Sequence, residues 1–291
     1  MLSTNGRLKL AIQRDGRITD DSVALLKAMG LDFDIRSRAL VSPCRNFALD
    51  VLAVRDDDIP EYVQDGVSEF GVVGENIVAE KGARVRVVER LGFGKCQLAV
   101  CVPRGGPIHG LAALEGKRIA TSYPKTVREF LQAQNLRADV VEISGSVEIT
   151  PALDVADATC DIISTGSTAR MHGLDVIHTV MNSEAVLISN DRVFESPEKN
   201  RDARQLLTRF RSVLSARGKK YVMMNAPASA VARIKTLVPG MSSPTVVPLA
   251  QPDMVAIHSV VAENMFWEVM EKLKEAGASD IITVSIEKMI A

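Results

Sequence analysis

The residues best suited to chemistry are concentrated in one stretch, Asp161-Ile162-Ile163-Ser164-Thr165-Gly166-Ser167-Thr168. An apolar run arriving from Val155 ends there on an acid, followed by four hydroxyl residues, one glycine, and a segment (169–173) able to make one or two helical turns. That composition suits an anion cradle. Glycine lets backbone approach a ligand, hydroxyls donate, and the N-terminus of the next helix presents free N–H groups. It equally suits a plain strand-to-helix turn with Ser167 or Thr168 as the N-cap. On this stretch alone both readings stand.

Further candidates sit where apolar runs end. Gln13-Arg14-Asp15-Gly16-Arg17 follows the first such run, at a strand end of the kind where open α/β sheets place ligands. The paired arginines match phosphate geometry, although a solvated turn has the same composition. Arg55-Asp56-Asp57-Asp58 follows the second run. Arg55 can face an anion, while Asp57 and Asp58 read as acids complementing a helix dipole. Gly74-Glu75-Asn76 follows the third run, and Glu75 suits ribose hydroxyls, a hydrated metal, or simply a first helical turn.

Thr121-Ser122-Tyr123-Pro124 precedes a helix whose first residue is predicted to be Pro124. Tyr123 there is suited to stacking on a base or to packing between lobes. Glu148 follows Ser144-Gly145-Ser146, where it fits ribose hydroxyls or a capping box with Gly145 or Ser146.

The positioning elements follow from hydrophobic periodicity. Apolar runs alternate with amphipathic segments, the signature of an α/β chain. Strands are expected at 8–13, 50–54, 70–73, 98–102, 118–121, 140–143, 161–164, 176–180 and 185–189. Helices are expected at 19–29, 59–65, 125–134, near 147–156, and along 197–216. Pro103-Arg104-Gly105-Gly106-Pro107 reads as a hinge or linker. From 220 onward the order is βαββαβ, the split-βαβ ferredoxin-like arrangement. The expected organisation is therefore a first lobe of 1–103 plus 179–217, a second lobe of 104–178, and a C-terminal domain of 218–291.

The 291 residues carry 35 basic and 36 acidic side chains, so bulk charge supports neither a nucleic-acid nor a membrane-surface partner. The N-terminal sequence lacks the apolar core of a signal peptide, no run approaches a membrane span, and the four cysteines have no metal-ligand spacing. A cytoplasmic enzyme is the expectation. There is no Walker A, GxGxxG, HExxH or nucleophile-elbow pattern, so neither a covalent nucleophile nor a transition metal is indicated.

Taken together, these blocks resemble the long form of the ATP phosphoribosyltransferases of histidine biosynthesis, over essentially the whole chain. The resemblance is carried by 11–17, 54–60, 71–76, 117–124, 148–168, 244–249 and 286–289. Its most specific part is the spacing from Glu148 through Asp161 to Ser164-Thr165-Gly166-Ser167-Thr168. Asp15, Asp154, Thr159 and Ala169 depart from the family's usual residues. The resemblance implies two periplasmic-binding-protein-like lobes plus a C-terminal ferredoxin-like (ACT-like) domain. It implies ATP and phosphoribosyl pyrophosphate as substrates, Mg²⁺ as cofactor, histidine as feedback inhibitor, and dimers assembling into hexamers.

It also implies roles. Ser164 to Thr168 would bind the ribose 5-phosphate, with Glu148 and Asp161 on ribose hydroxyls or hydrated metal. Arg14, Arg17 and Arg55 would face pyrophosphate and triphosphate, and Gln13, Gly16, Glu75 and Tyr123 the nucleotide. Thr245 is the expected histidine contact, and no metal ligand is singled out. Two rivals share parts of this pattern. A non-catalytic two-lobed binding protein lacks the required secretion or DNA-binding segment here. A free-base phosphoribosyltransferase typically has two adjacent acids before its Thr-Gly-x-Thr loop, whereas Asp161 is followed by Ile162 and Ile163.

Overall fold

A computed structural model describes residues 6–34, 40–164, 170–241 and 243–290. The chain divides into two compact units, Met1–Arg204 and Gln205–Ala291. The first begins with β1 (Leu8–Gln13), α1 (Thr19–Ala28), β2 (Val41–Pro43) and β3 (Leu49–Val54). It continues through α2 (Ile59–Gln64), β4 (Phe70–Gly74), α3 (Glu75–Lys81) and β5 (Arg86–Arg90). Next come β6 (Cys96–Pro103), β7 (Arg118–Thr121), α4 (Pro124–Ala133), β8 (Asp139–Glu142) and β9 (Ala158–Ile163). β10 (Leu174–Ser183), β11 (Ala185–Ser189) and α5 (Arg192–Glu195) then lead into α6 (Pro197–Ala216).

Two mixed sheets result, in the orders β2-β3-β1-β4-β11-β5 and β10-β6-β9-β7-β8. β1 runs parallel to β3 and β4, and β7 parallel to β8 and β9. Central strands are covered on both faces, which is why they read as unbroken apolar runs. Leu8, Leu10, Ala11 and Ile12 of β1 are all fully buried. Parallel neighbours need a crossover, and α1, α2 and α4 supply it. Since the parallel strands point one way in each sheet, their C-terminal ends collect on one edge. The candidate residues lie on those edges.

Three expectations are corrected. The chain leaves the first sheet after β5 and returns from the second between β10 and β11, so β6 and β10 belong to the second sheet. The two crossings therefore lie at 91–95 and 183–185. Residues 103–107 form a turn inside the second lobe, closed by the Gly106 N–H on the Pro103 carbonyl at 3.1 Å. The helix expected near 147–156 shrinks to one 3-10 turn, Val147–Ile149. Pro151 cannot donate to a continuing helix, and Asp154 takes a left-handed conformation, φ 56°. The last compact unit begins at Gln205, inside α6. Strands β2 and β5 were not expected. They are sheet edges, and the mixed charges of Arg86–Arg90 give no alternation to read.

The second unit contains β12 (Lys219–Pro227), α7 (Val231–Leu237), β13 (Thr245–Pro248), β14 (Met254–Ala262), α8 (Glu263–Glu275) and β15 (Ser279–Ser285). Its antiparallel sheet has the order β13-β14-β12-β15, the ferredoxin-like topology that the βαββαβ pattern predicts. One face buries Val222, Met224, Ala226 and Ile257 with Ile234, Phe266 and Leu273 of the helices.

Candidate active site between two strand edges

The two edges of the first unit face each other and are joined by polar contacts. Glu80 of α3 accepts the backbone N–H groups of Lys125 and Thr126, each at 2.9 Å, and the Thr126 hydroxyl at 2.8 Å. A carboxylate from one lobe thus caps helix α4 of the other, where free N–H groups and the helix dipole favour an anion. Asn76 Nδ2 donates to the Tyr123 hydroxyl at 3.1 Å. Tyr123 also packs against the apolar cores of both sheets. Between the edges is a cleft of about 630 Å³, lined by Asp56, Glu80, Thr121, Tyr123 and Ser144 among others. A recess of about 640 Å³ lies beside the crossings, lined by Arg90, Lys95, Gln97, Ser164 and Glu184 among others.

Beyond β1, the Gln13 side chain folds under its own loop, donating to Asp56 Oδ2 at 3.2 Å and accepting the Ile18 N–H at 3.4 Å. Gly16, at φ 146°, lies against it, and a Cβ there would overlap the Gln13 amide. Gly16→Ala is expected to cost about 1–3 kcal/mol through strain and displacement of Gln13, read as a lower melting temperature. Arg14 is ion-paired with Asp15 at 3.5 Å, both exposed. Arg17 grips the first crossing, donating to Gly94 O at 2.9 Å, Lys95 O at 3.4 Å and Cys96 Sγ at 3.2 Å. Arg55 is exposed, and its guanidinium has no partner among the described residues. Glu75 is held in a two-pronged ion pair by Arg90, at 2.6 and 2.7 Å, with Glu184 a further 3.4 Å partner of the same arginine.

On the opposing edge, Asp161 is the first half-buried residue of β9, directly after its buried part. Burial raises its pKa, the nearby Glu148 charge raises it further, and the Ile162 N–H on Oδ1 at 2.8 Å works against both. Glu148 has His172 Nε2 at 4.0 Å. Burial also raises the Tyr123 phenol, and the Asp161 charge adds to that effect. The structure thus brings Tyr123, Asp161 and Glu148 into one electrostatic neighbourhood. Ser164 is exposed just past β9. Thr165, Gly166, Ser167 and Thr168 lie outside the described residues, as does the Ala169 departure. The cysteines are buried, and burial pushes the Cys101 thiol up to about 11, which leaves it protonated and unsuited as a nucleophile. Thr245 lies on β13 of the second unit, exposed, across from His258.

Sequence reasoning missed Asn76, Glu80, Arg90 and Glu184. Asn76 carried a signal, as the neighbour of Glu75 at a strand end. The others pair only through the fold.

The family model described as ATP phosphoribosyltransferase matches residues 55–212, and a model of the family's C-terminal domain matches 216–288. The chain belongs to the ATP phosphoribosyltransferase family. The ATP phosphoribosyltransferase of Cytophaga hutchinsonii is 44% identical over 283 residues, covering 97% of this chain and 98% of that one. That of Parabacteroides distasonis is also 44% identical, covering 97% and 99%. The solved ATP phosphoribosyl transferase (HisG:HisZ) complex from Thermotoga maritima overlays with a TM-score of 0.62 at 23% identity, over 72% of this chain and 98% of that one. That overlay shows a shared fold. Membership in the ATP phosphoribosyltransferase family makes the chain a pentosyltransferase of histidine biosynthesis. It also sets aside both rival readings of the sequence. Among the described residues no helix is long and apolar enough to cross a membrane.

Proposed function

We propose that the chain joins N1 of the ATP adenine to C1 of phosphoribosyl pyrophosphate, releasing pyrophosphate. The observation carrying this reading is the half-buried Asp161, within electrostatic reach of Glu148 and of Tyr123, which is itself hydrogen-bonded to Asn76 of the other lobe. Adenine N1 already has a lone pair, so no general base is required to create the nucleophile. The N1–C1 bond forms as the bond from C1 to the pyrophosphate oxygen breaks, through a transition state with positive charge on the ribose ring. Catalysis rests on positioning and fixed charge.

In this reading Asp161 and Glu148 orient the ribose hydroxyls and place negative charge near the developing cation. Arg14, Arg17 and Arg55 supply positive charge for the phosphates, Arg17 while bound to the crossing. Ser164, with Thr165, Gly166, Ser167 and Thr168, takes the 5-phosphate. Gln13 and Gly16 shape the nucleotide side, with Glu75 and Tyr123.

Among the described residues no group of three or more His, Cys, Asp or Glu side chains could hold a metal ion. A pair of carboxylates nevertheless fits Mg²⁺, which commonly takes one or two carboxylates and completes its shell with substrate phosphates and water. When bound, Mg²⁺ neutralises charge on the departing pyrophosphate. Asp161 and Glu148 are the residues that would hold it.

The last unit is the proposed histidine site, with Thr245 as contact, and the assembly is a dimer or hexamer. Pyrophosphate release should require ATP, phosphoribosyl pyrophosphate and Mg²⁺ together, and should fall on adding histidine. The allosteric coupling is expected to be about 1–3 kcal/mol. No turnover in a folded, Mg²⁺-supplied sample overturns the reaction. Histidine inhibition persisting in a folded chain ending at 217 overturns the regulatory site.

A further inference from the structure

Asn76 is 4% exposed, and every polar group of its side chain is engaged across the junction of the two lobes. Its backbone N–H donates to Ser183 Oγ at 3.0 Å, and the Ser183 hydroxyl donates in turn to Asn76 Oδ1 at 2.8 Å. That second bond fixes the amide orientation, because Oδ1 must face Ser183. The Nδ2 group is then turned to Tyr123, whose hydroxyl it reaches at 3.1 Å. A Cβ on Gly74 would overlap Asn76 Oδ1, so the glycine before the pair makes room for this orientation.

An amide nitrogen only donates, so the Tyr123 oxygen is the acceptor in this bond. The single hydroxyl proton of Tyr123 must point elsewhere. Among the described residues no protein acceptor for it is recorded, and the acid nearest in electrostatic effect is Asp161. We infer that Asn76 is a positioning residue: it forces Tyr123 to act as a hydrogen-bond donor toward the ribosyl oxygens held over Asp161. This inference rests on the proposed function and revises it at one residue: Tyr123 serves the phosphoribosyl group rather than the nucleotide. An aspartate at 76 would have nearly the same shape and the opposite polarity. When ionised it accepts only, so it would capture the Tyr123 proton for itself.

The test compares wild type with Asn76→Asp, Tyr123→Phe, the double variant and Ser183→Ala. Two readouts are used, binding of phosphoribosyl pyrophosphate alone by titration calorimetry, and steady-state kinetics. Asn76→Asp and Tyr123→Phe should each weaken binding about five- to tenfold, the loss of one donated hydrogen bond. The double variant should bind no more weakly than Tyr123→Phe. Ser183→Ala releases the amide to flip, so it should shift binding the same way by a smaller factor. It also carries the test if Asn76→Asp fails to fold. An Asn76→Asp loss that persists in the Tyr123→Phe background, or wild-type binding in either single variant, overturns the inference. So does a wild type that does not bind phosphoribosyl pyrophosphate. Binding that behaves as expected without turnover of ATP would instead count against the proposed reaction.

Discussion

Asp161→Asn is expected to melt at a higher temperature than the wild type at neutral pH, while turning over about 10²–10³-fold more slowly. The two effects have one cause. Burial and the Glu148 charge raise the pKa of Asp161 in the folded protein above its unfolded value. Such a carboxyl holds its proton longer in the native state. Its favourable contribution is therefore complete below the unfolded pKa and is lost as pH rises through the folded one. Above the unfolded pKa the wild type carries a carboxyl whose charged form its surroundings disfavour. Asparagine removes that charge and keeps the shape.

The melting difference should be near zero at about pH 3, below the ordinary carboxylate range, and reach its maximum once Asp161 is ionised. Thermal melts across pH, paired with kinetics, check both halves. A variant that loses activity and stability together would show that Asp161 is a packing residue, because strain kept for function should be relieved when function is removed.

Glu80→Ala is expected to lower the stability of the first unit by about 2 kcal/mol, the scale of losing charge-assisted capping bonds that water only partly replaces. For a unit of this size that is about 4–8 °C in melting temperature. The three bonds lost are those to Lys125 N, Thr126 N and Thr126 Oγ1. Glu80→Gln keeps an acceptor oxygen and should lose roughly half as much. Because Glu80 joins the same two lobes as Asn76 and Tyr123, the alanine variant should also raise KM for both substrates more than it lowers kcat. An unchanged melting temperature would mean that solvent satisfies α4 as well as Glu80 does, and that the junction of the lobes does not depend on this carboxylate.

The long-range pairings at this site show why some of it was hidden. Glu75 was readable as an acid at a strand end suited to a nucleotide, yet Arg90 holds it on both oxygens. Arg17 was readable as a phosphate cation, yet its two terminal nitrogens donate to Gly94, Lys95 and Cys96, across the first crossing. In both cases residue type and local position were right, while the partner depended on which segments the fold brings together. The roles proposed for them accordingly require the ligand to compete with, or act through, these partners.

The α/β alternation was legible in the amino-acid order alone, as were the strand ends that carry Gln13, Arg55, Glu75, Tyr123 and Ser164. So were Pro124 as the first residue of α4 and the βαββαβ order of the last unit. These are local properties, set by the period of apolar residues and by proline and glycine chemistry over a few positions. That β6 and β10 leave the first lobe for the second, and that Arg86–Arg90 forms an edge strand, came from the folded chain. So did the reach of Asn76 to Ser183, 107 residues away, and the turning of the Tyr123 hydroxyl. Strand partners and hydrogen-bond direction depend on distant groups, and no local period encodes them.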